Sequence, residues 1–272
     1  FIARDGHQIL EIDFGGHEFR GCSIYSGDPA MAEYCRNPEK DIHRDMGCSI
    51  FGLSVEELAK IKPLRHLSKN KFVFPQCYGS YWRKCAADIW AALHDIEGSA
   101  NVFLLLADQG LDRLKDGSDP PPKGTFEERL LRCEEEMRSL CEVHFEWKDE
   151  WWSEYVQRGW FQMKTGFTVA GPTLTRNDVT NYPVQGSCFH FLLWSLIQLT
   201  KRMAKVRMRS VIVGQIHDSI VVDAHVSEVD GLIEMAREIM LEAIYEHWPW
   251  ISVPLEIEAE LAPEGGTWFD KQ

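Results

Sequence analysis

The chain has 272 residues, 44% of them hydrophobic and 26% charged, with a formal net charge of −13 at pH 7. Such a length and composition suit an enzyme-sized globular protein, either one large domain or two intertwined ones. The acidic balance excludes a protein that merely coats nucleic acid, which would be basic, and the longest apolar run, around Val102–Ala107, falls far short of the roughly 18 residues a membrane helix needs, so no membrane partner is expected.

In chain order, residues 8–14 alternate and end on Asp13, predicting a strand that runs into a turn at Gly15-Gly16, with Glu18 at the start of a helix. Helical spacing follows through 30–34, 41–51 and 55–60. Pro63 then opens a segment carrying a cationic island: seven Lys or Arg and no acid between Lys60 and Lys84. In an acidic chain this points to a specific anion site, or more simply to a solvated face. Residues 86–97 are predicted helical and 98–124 mixed, ending in a loop over 116–124 whose three consecutive prolines cannot continue a helix. One long amphipathic helix is predicted over 125–158, with Leu130, Cys133, Met137, Leu140, Cys141 and His144 on its apolar stripe. Residues 161–174 are β-like, 185–205 helical, 211–223 a hairpin, 228–248 helical and 253–261 a last strand. This order predicts an α+β fold with helices inserted into a sheet. The eight cysteines show no C-x-x-C pair and no zinc spacing, as in a reduced, cytoplasmic chain. The N-terminus has neither an initiator Met nor a signal-peptide layout, which suggests one piece of a longer protein.

Four stretches carry chemistry. The hairpin is rich in β-branched residues and broken at His217-Asp218-Ser219, so its tip is an acid; Asp and Ser are also ordinary turn formers. Asp13 ends a strand 205 positions earlier, and if the two strands are sheet neighbours the acids become one oxygen site for hard divalent cations. Within the island, Arg65 and Lys69 share one helix face, as do Phe74 and Tyr78: cations for phosphates, then aromatics for a base. Asn181 and Gln185, in Asn-Tyr-Pro-Val-Gln-Gly, pair two amides at i, i+4 as a helix opens; they suit nucleic-acid edges or backbone, and Asn181 equally suits an N-cap.

Taken in order, these stretches resemble the family A (polymerase I-like) DNA polymerases along essentially the whole chain. Asp13-Phe-Gly-Gly-His-Glu18 matches the two acids of D-x-S-x-x-E. Arg65, Lys69 and Tyr78-Gly79 match R-x3-K-x7-Y-G, Asn181–Gly186 matches N-x-P-x-Q-G, and His217-Asp218 the hairpin H-D. Ser26–Pro29, Asp41–His43 and Gly265–Trp268 resemble further landmarks. The resemblance implies an antiparallel palm sheet with a helical fingers insertion, here palm 1–40, fingers 41–175 and palm 176–272. It implies two Mg2+ ions on the catalytic Asp13 and Asp218, with the Phe14 carbonyl as an extra ligand. Arg65, Lys69, Phe74, Tyr78, Glu18 and His43 would contact the dNTP, with Glu18 and Tyr78 excluding a ribose 2′-hydroxyl. Asn181, Gln185, His217 and Arg176 would contact primer-template DNA. Related single-subunit RNA polymerases generally have a small residue at the position of Glu18, so this acid favours DNA synthesis.

Three departures stand out. The segment from Lys69 to Gly79 is one residue longer than the pattern, which predicts a π-bulge or kink over 71–75 if both faces are to meet substrate; an unbroken helix would reopen the choice between Lys69 and Asn70. Ser219 stands where the family commonly has Glu, and Asn177, beside Arg176, where it has Arg. The chain starts at the first of these motifs, so a thumb and any proofreading exonuclease are expected N-terminal to it, in the same precursor or a separate chain. The short, diverged form suggests a phage enzyme working in host cytoplasm. The competing reading is a non-catalytic DNA- or nucleotide-binding piece that works only with a partner carrying the thumb.

Overall fold

The computed structural model describes residues 2–96, 99–111 and 118–271. Part of the predicted 116–124 loop and the end of the predicted 86–97 helix lie outside the described residues. In chain order the elements are β1 (His7–Phe14), α1 (His17–Ser26), α2 (Pro29–Arg36), α3 (Ile42–Phe51), α4 (Val55–Lys60), α5 (Lys62–Ser68), a π-helical turn (Lys69–Val73), α6 (Phe74–Cys77), α7 (Trp82–Leu93), α8 (Ser99–Asp108), α9 (Phe126–Leu140), α10 (Glu142–Arg158), β2 (Trp160–Gln162), β3 (Thr168–Ala170), α11 (Arg176–Lys205), β4 (Val211–Ile216), β5 (Ser219–His225), α12 (Val229–Glu238), a second π-helical turn (Ile239–Ala243), α13 (Ile244–His247) and β6 (Ile257–Leu261). The fold is α+β, as the sequence order predicts.

The chain divides into two compact units, residues 1–27 with 151–272, and residues 28–150. The divisions fall at 27/28 and 150/151. Local chemistry explains the first: Asp28 caps α2 through the Met31 amide and also accepts the amide of His144, which ties residue 28 to the helical unit. At the second, inside α10, Trp151 packs edge-on to Tyr25 and against Phe161 in the sheet-containing unit.

In the sheet-containing unit the strand order is β4-β5-β1-β6, all antiparallel, so the first strand lies beside the hairpin at the other end of the sequence. The alternation that predicts β1 is real. Leu10, Ile12 and Phe14 are buried on one face, and Glu11 and Asp13 leave the other. Helix α12 packs on β1 and β5, and α11 on β5 and α1.

Helix α11 begins earlier than the motif suggests. A capping box between Thr175 and Asp178 opens it, so Asn181 lies within the helix and is not its N-cap. Pro183 then falls inside the helix and cannot donate to the carbonyl of Val179, four residues back. The indole Nε1 of Trp151 donates to that carbonyl at 3.1 Å and satisfies it.

The helical unit packs α3 on α5 and α9, and α7 on α9. The single helix predicted over 125–158 is two helices broken at Cys141, whose φ/ψ of −111°/42° leaves the helical region. The apolar stripe largely survives the break, since Leu130, Cys133, Met137, Cys141 and His144 are buried and Leu140 is half-buried. What breaks the helix is tertiary: the freed His144 amide goes to the buried Asp28 carboxylate. The expected widening in the cationic segment is present as the π turn over Lys69–Val73, two residues earlier than predicted. There the amide of Phe74 donates to the carbonyl of Lys69, five residues back. Pro75 explains the placement, because its ring would collide with the carbonyl of residue 71 in a continuous α-helix. No helix among the described residues is long and apolar enough to cross a membrane.

Candidate active site

The register of β1 and β5 sets Asp13 opposite Ser219, so the end of the first strand meets the hairpin tip. His217 and Asp218 form that two-residue tip, with His217 at a φ of 51° in the left-handed region and its carbonyl accepting the Gln215 side-chain amide. The two aspartates become neighbours. Burial, then the nearby Asp218 charge, pushes the Asp13 carboxyl up to about 6, against the Phe14 amide that holds it down. One Asp13 oxygen is buried without a hydrogen-bond partner among the described residues. Two carboxylates held together, with a buried oxygen lacking a donor, form a site suited to a divalent cation.

Beside them lies a cleft of about 370 Å3 lined by His17, Glu18, Gln185, Cys188, Phe189, His217 and Asp218. Four residues singled out from sequence, Glu18, Gln185, His217 and Asp218, are thus brought together from α1, α11 and the hairpin. Asn181 lies one turn before Gln185 on α11. Arg176, in the first turn of α11, does not line this cleft. Phe14 is buried, its ring stacked on His17 at 4.3 Å.

Several contributors were not legible as site residues. Glu258 of β6 lies opposite Asp13 on the other side, and its charge also raises the Asp13 carboxyl; the alternating Glu256, Glu258 and Glu260 were the available signal. Arg20 is buried, donates to the carbonyls of Gly15 and Pro254, and pairs with Glu256 at 2.6 Å, which pins the turn after Asp13. His17 is buried against Phe14 and Phe191, and burial together with the Arg20 charge holds its imidazole down at about 3, so it is neutral.

The remaining predicted residues gather in the helical unit. Lys69 Nζ lies 5.5 Å from the centre of the Phe74 ring. Phe74 stacks with Tyr78 at 6.3 Å and meets the edge of His43 at 5.3 Å. Burial holds His43 down at about 4 and therefore neutral. Arg65 pairs with Asp41, which also caps α3. Asn70, by contrast, bonds to His66 at 2.6 Å, so the π turn puts Lys69, not Asn70, with the aromatic pair. A larger, mainly apolar cavity of about 700 Å3 lies between α3, α4 and α5; of the predicted residues it includes Arg65 alone.

Known proteins share parts of this sequence and its fold. Residues 172–269 match the model for DNA polymerase family A. The chain is 20% identical over 274 residues to the thermostable DNA polymerase I of Thermus aquaticus, covering 97% of this chain and 28% of that protein. It is 24% identical over 265 residues to DNA polymerase I of Aquifex aeolicus, covering 95% and 39% respectively. The chain thus spans well under half the length of these relatives. They are bacterial, so the phage expectation has no support from them. Its fold matches the POL domain of Pol1 from M. smegmatis in complex with DNA primer-template and dNTP, with a TM-score of 0.69 at 17% identity, over 98% of this chain and 41% of that one. The chain is thus similar to DNA polymerase family A over residues 172–269, and to bacterial DNA polymerase I over nearly its whole length.

Proposed function

We propose that the chain is the catalytic palm-and-fingers portion of a template-directed DNA polymerase. The primer 3′-oxygen forms a bond to the α-phosphorus of a dNTP, and the bond to the leaving pyrophosphate breaks. The observation that carries this reading is the meeting of Asp13 and Asp218 at the edge of a cleft that also holds Glu18, Gln185 and His217. Asp13 and Asp218, with the Phe14 carbonyl, would hold two Mg2+ ions. Bound Mg2+ supplies neutralisation of the charge that develops on the transferring phosphoryl group.

Within this reading Arg65 and Lys69 bind the triphosphate, while Phe74, Tyr78 and His43 pack against base and sugar. Glu18 excludes the 2′-hydroxyl of a ribonucleotide, with Tyr78 as its partner in that role. Gln185, Asn181, His217 and Arg176 contact primer and template. The sheet-containing unit is the palm and the helical unit the fingers. The thumb, and any exonuclease, belong to further polypeptide, and the site of action is the cytoplasm.

Primer extension tests the reading. Asp13→Asn and Asp218→Asn are each expected to abolish dNTP incorporation at unchanged far-UV circular dichroism, and near-normal extension by either variant refutes it. The chain's short span relative to its relatives favours a second reading, a binding piece that needs the remainder of the polypeptide. Extension measured with and without that remainder separates the two.

A further inference from the structure

Ser219 stands where the polymerase pattern commonly has Glu, which leaves the hairpin tip with one carboxylate. The structure places another within reach of it. Glu11 lies two residues before Asp13 in β1, so both side chains leave the same face of the sheet. The Glu11 carboxylate accepts the Ser219 hydroxyl at 2.5 Å and the Trp268 indole N–H at 3.0 Å, and it pairs with the Lys271 ammonium. These groups are largely withdrawn from water: the side chains of Glu11 and Lys271 are 12% and 10% exposed, and Ser219 is buried. Trp268 packs on Ala3, Ile9, Val221 and Ala262, so the far end of this network rests on a packed cluster. Ser219 is covalently next to Asp218 and opposite Asp13. The rest of the tip turns through a non-glycine residue in the left-handed region, a conformation that persists only when its surroundings fix it.

We propose that Glu11 is a positioning residue for the Asp218 tip: from the neighbouring strand it supplies the carboxylate that position 219 lacks, and through Trp268 and Lys271 it ties the C-terminal segment to that tip. The proposal rests on the reading of Asp13 and Asp218 as cation ligands. Glu11 is engaged by three donors and does not itself touch the cation; it acts by holding Ser219, and thereby the backbone that aims Asp218. Catalytic groups need placement to within about 0.5 Å, and partners that orient a ligand are worth about 10- to 100-fold in metal affinity or activity.

The test is a Mn2+ titration of the intact chain by electron paramagnetic resonance, with amide hydrogen exchange at residues 217–219 in metal-free buffer. Glu11→Ala and Ser219→Ala are each expected to weaken Mn2+ binding by about 10- to 100-fold and to speed exchange at the tip. In primer extension they lower kcat and leave the KM for dNTP unchanged. Trp268→Phe, which keeps the ring and removes its donor, shifts the same readouts in the same direction by less. Glu11→Ser combined with Ser219→Glu returns the acid to the tip and is expected to restore Mn2+ affinity. Should Glu11→Ala fail to fold, Ser219→Ala removes a single hydroxyl and carries the test alone. Wild-type Mn2+ affinity and tip exchange in Ser219→Ala overturn the proposal. If Asp218→Asn abolishes Mn2+ binding in the same titration, that result overturns the positioning role alone; if Asp218→Asn also binds Mn2+ like wild type, the cation site itself is refuted.

Discussion

The bond from Trp151 to the carbonyl of Val179 makes a quantitative prediction about how α11 tolerates Pro183. Val179 is fully buried, and Pro183 has no N–H to return to it, so the indole is the partner the structure gives that carbonyl. Trp151→Phe leaves the acceptor unsatisfied, which costs about 1–3 kcal/mol, together with a separate loss of ring area. In a Pro183→Ala background the new amide donates to the Val179 carbonyl as in any α-helix, so only the ring-area loss remains. The double-mutant cycle cancels that common loss and isolates a coupling of about 1–3 kcal/mol between two residues 32 positions apart. Native-state hydrogen exchange of the amides in the first half of α11 reads it directly. Near-equal costs of Trp151→Phe in both backgrounds would show that the indole bond does not compensate the proline.

Two further predictions concern the π turn and the hairpin. In a Pro75→Ala background, which removes the ring that bars a continuous α-helix, deleting Lys71 should convert the π turn into regular α-helix, keep Arg65 with Lys69 and Phe74 with Tyr78 on their present faces, and change stability by no more than about 1 kcal/mol, the worth of one hydrogen bond. Deleting Asp88 from α7, which has no such turn, must rotate the fully buried Ile89 and Leu93 off the core at about 3–6 kcal/mol; equal losses in urea unfolding would show that the π turn is not an inserted residue. Glu228 accepts the Ser210 hydroxyl and the backbone amides of Arg209 and Ser210. Burial alone would raise its carboxyl, but these bonds bring it down from 4.5 to about 2. Its folded value lies below its unfolded one, so its contribution is complete above about pH 4.5 and is lost as pH falls toward 2. The stability difference between wild type and Glu228→Gln should shrink across that window, and a constant difference contradicts the assignment.

Much of the site was legible because it depends on local pattern. Alternation around Asp13 and the β-branched runs around Asp218 define strands whose ends carry acids, and the spacing from Lys69 to Tyr78 contains one residue too many for an α-helix. What sequence could not supply was set at long range. The break at Cys141 depends on Asp28, 113 positions away. Pro183 reads as a helix opening because nothing local shows that Trp151 satisfies the orphaned carbonyl. The start of α11 was the exception, since Thr175 and Asp178 form a capping box visible in the sequence. Likewise Ser219 reads as a missing acid until the β1–β5 register brings Glu11 to it.

The central claim is that Asp13 and Asp218 form one cation site, and a Mn2+ titration of the two single variants and the double variant tests it most directly. If both carboxylates hold the same ions, Asp13→Asn and Asp218→Asn each abolish tight binding, and the double variant loses no more than either one. Independent, additive losses, or binding that survives either substitution, would contradict the site and the polymerase mechanism built on it.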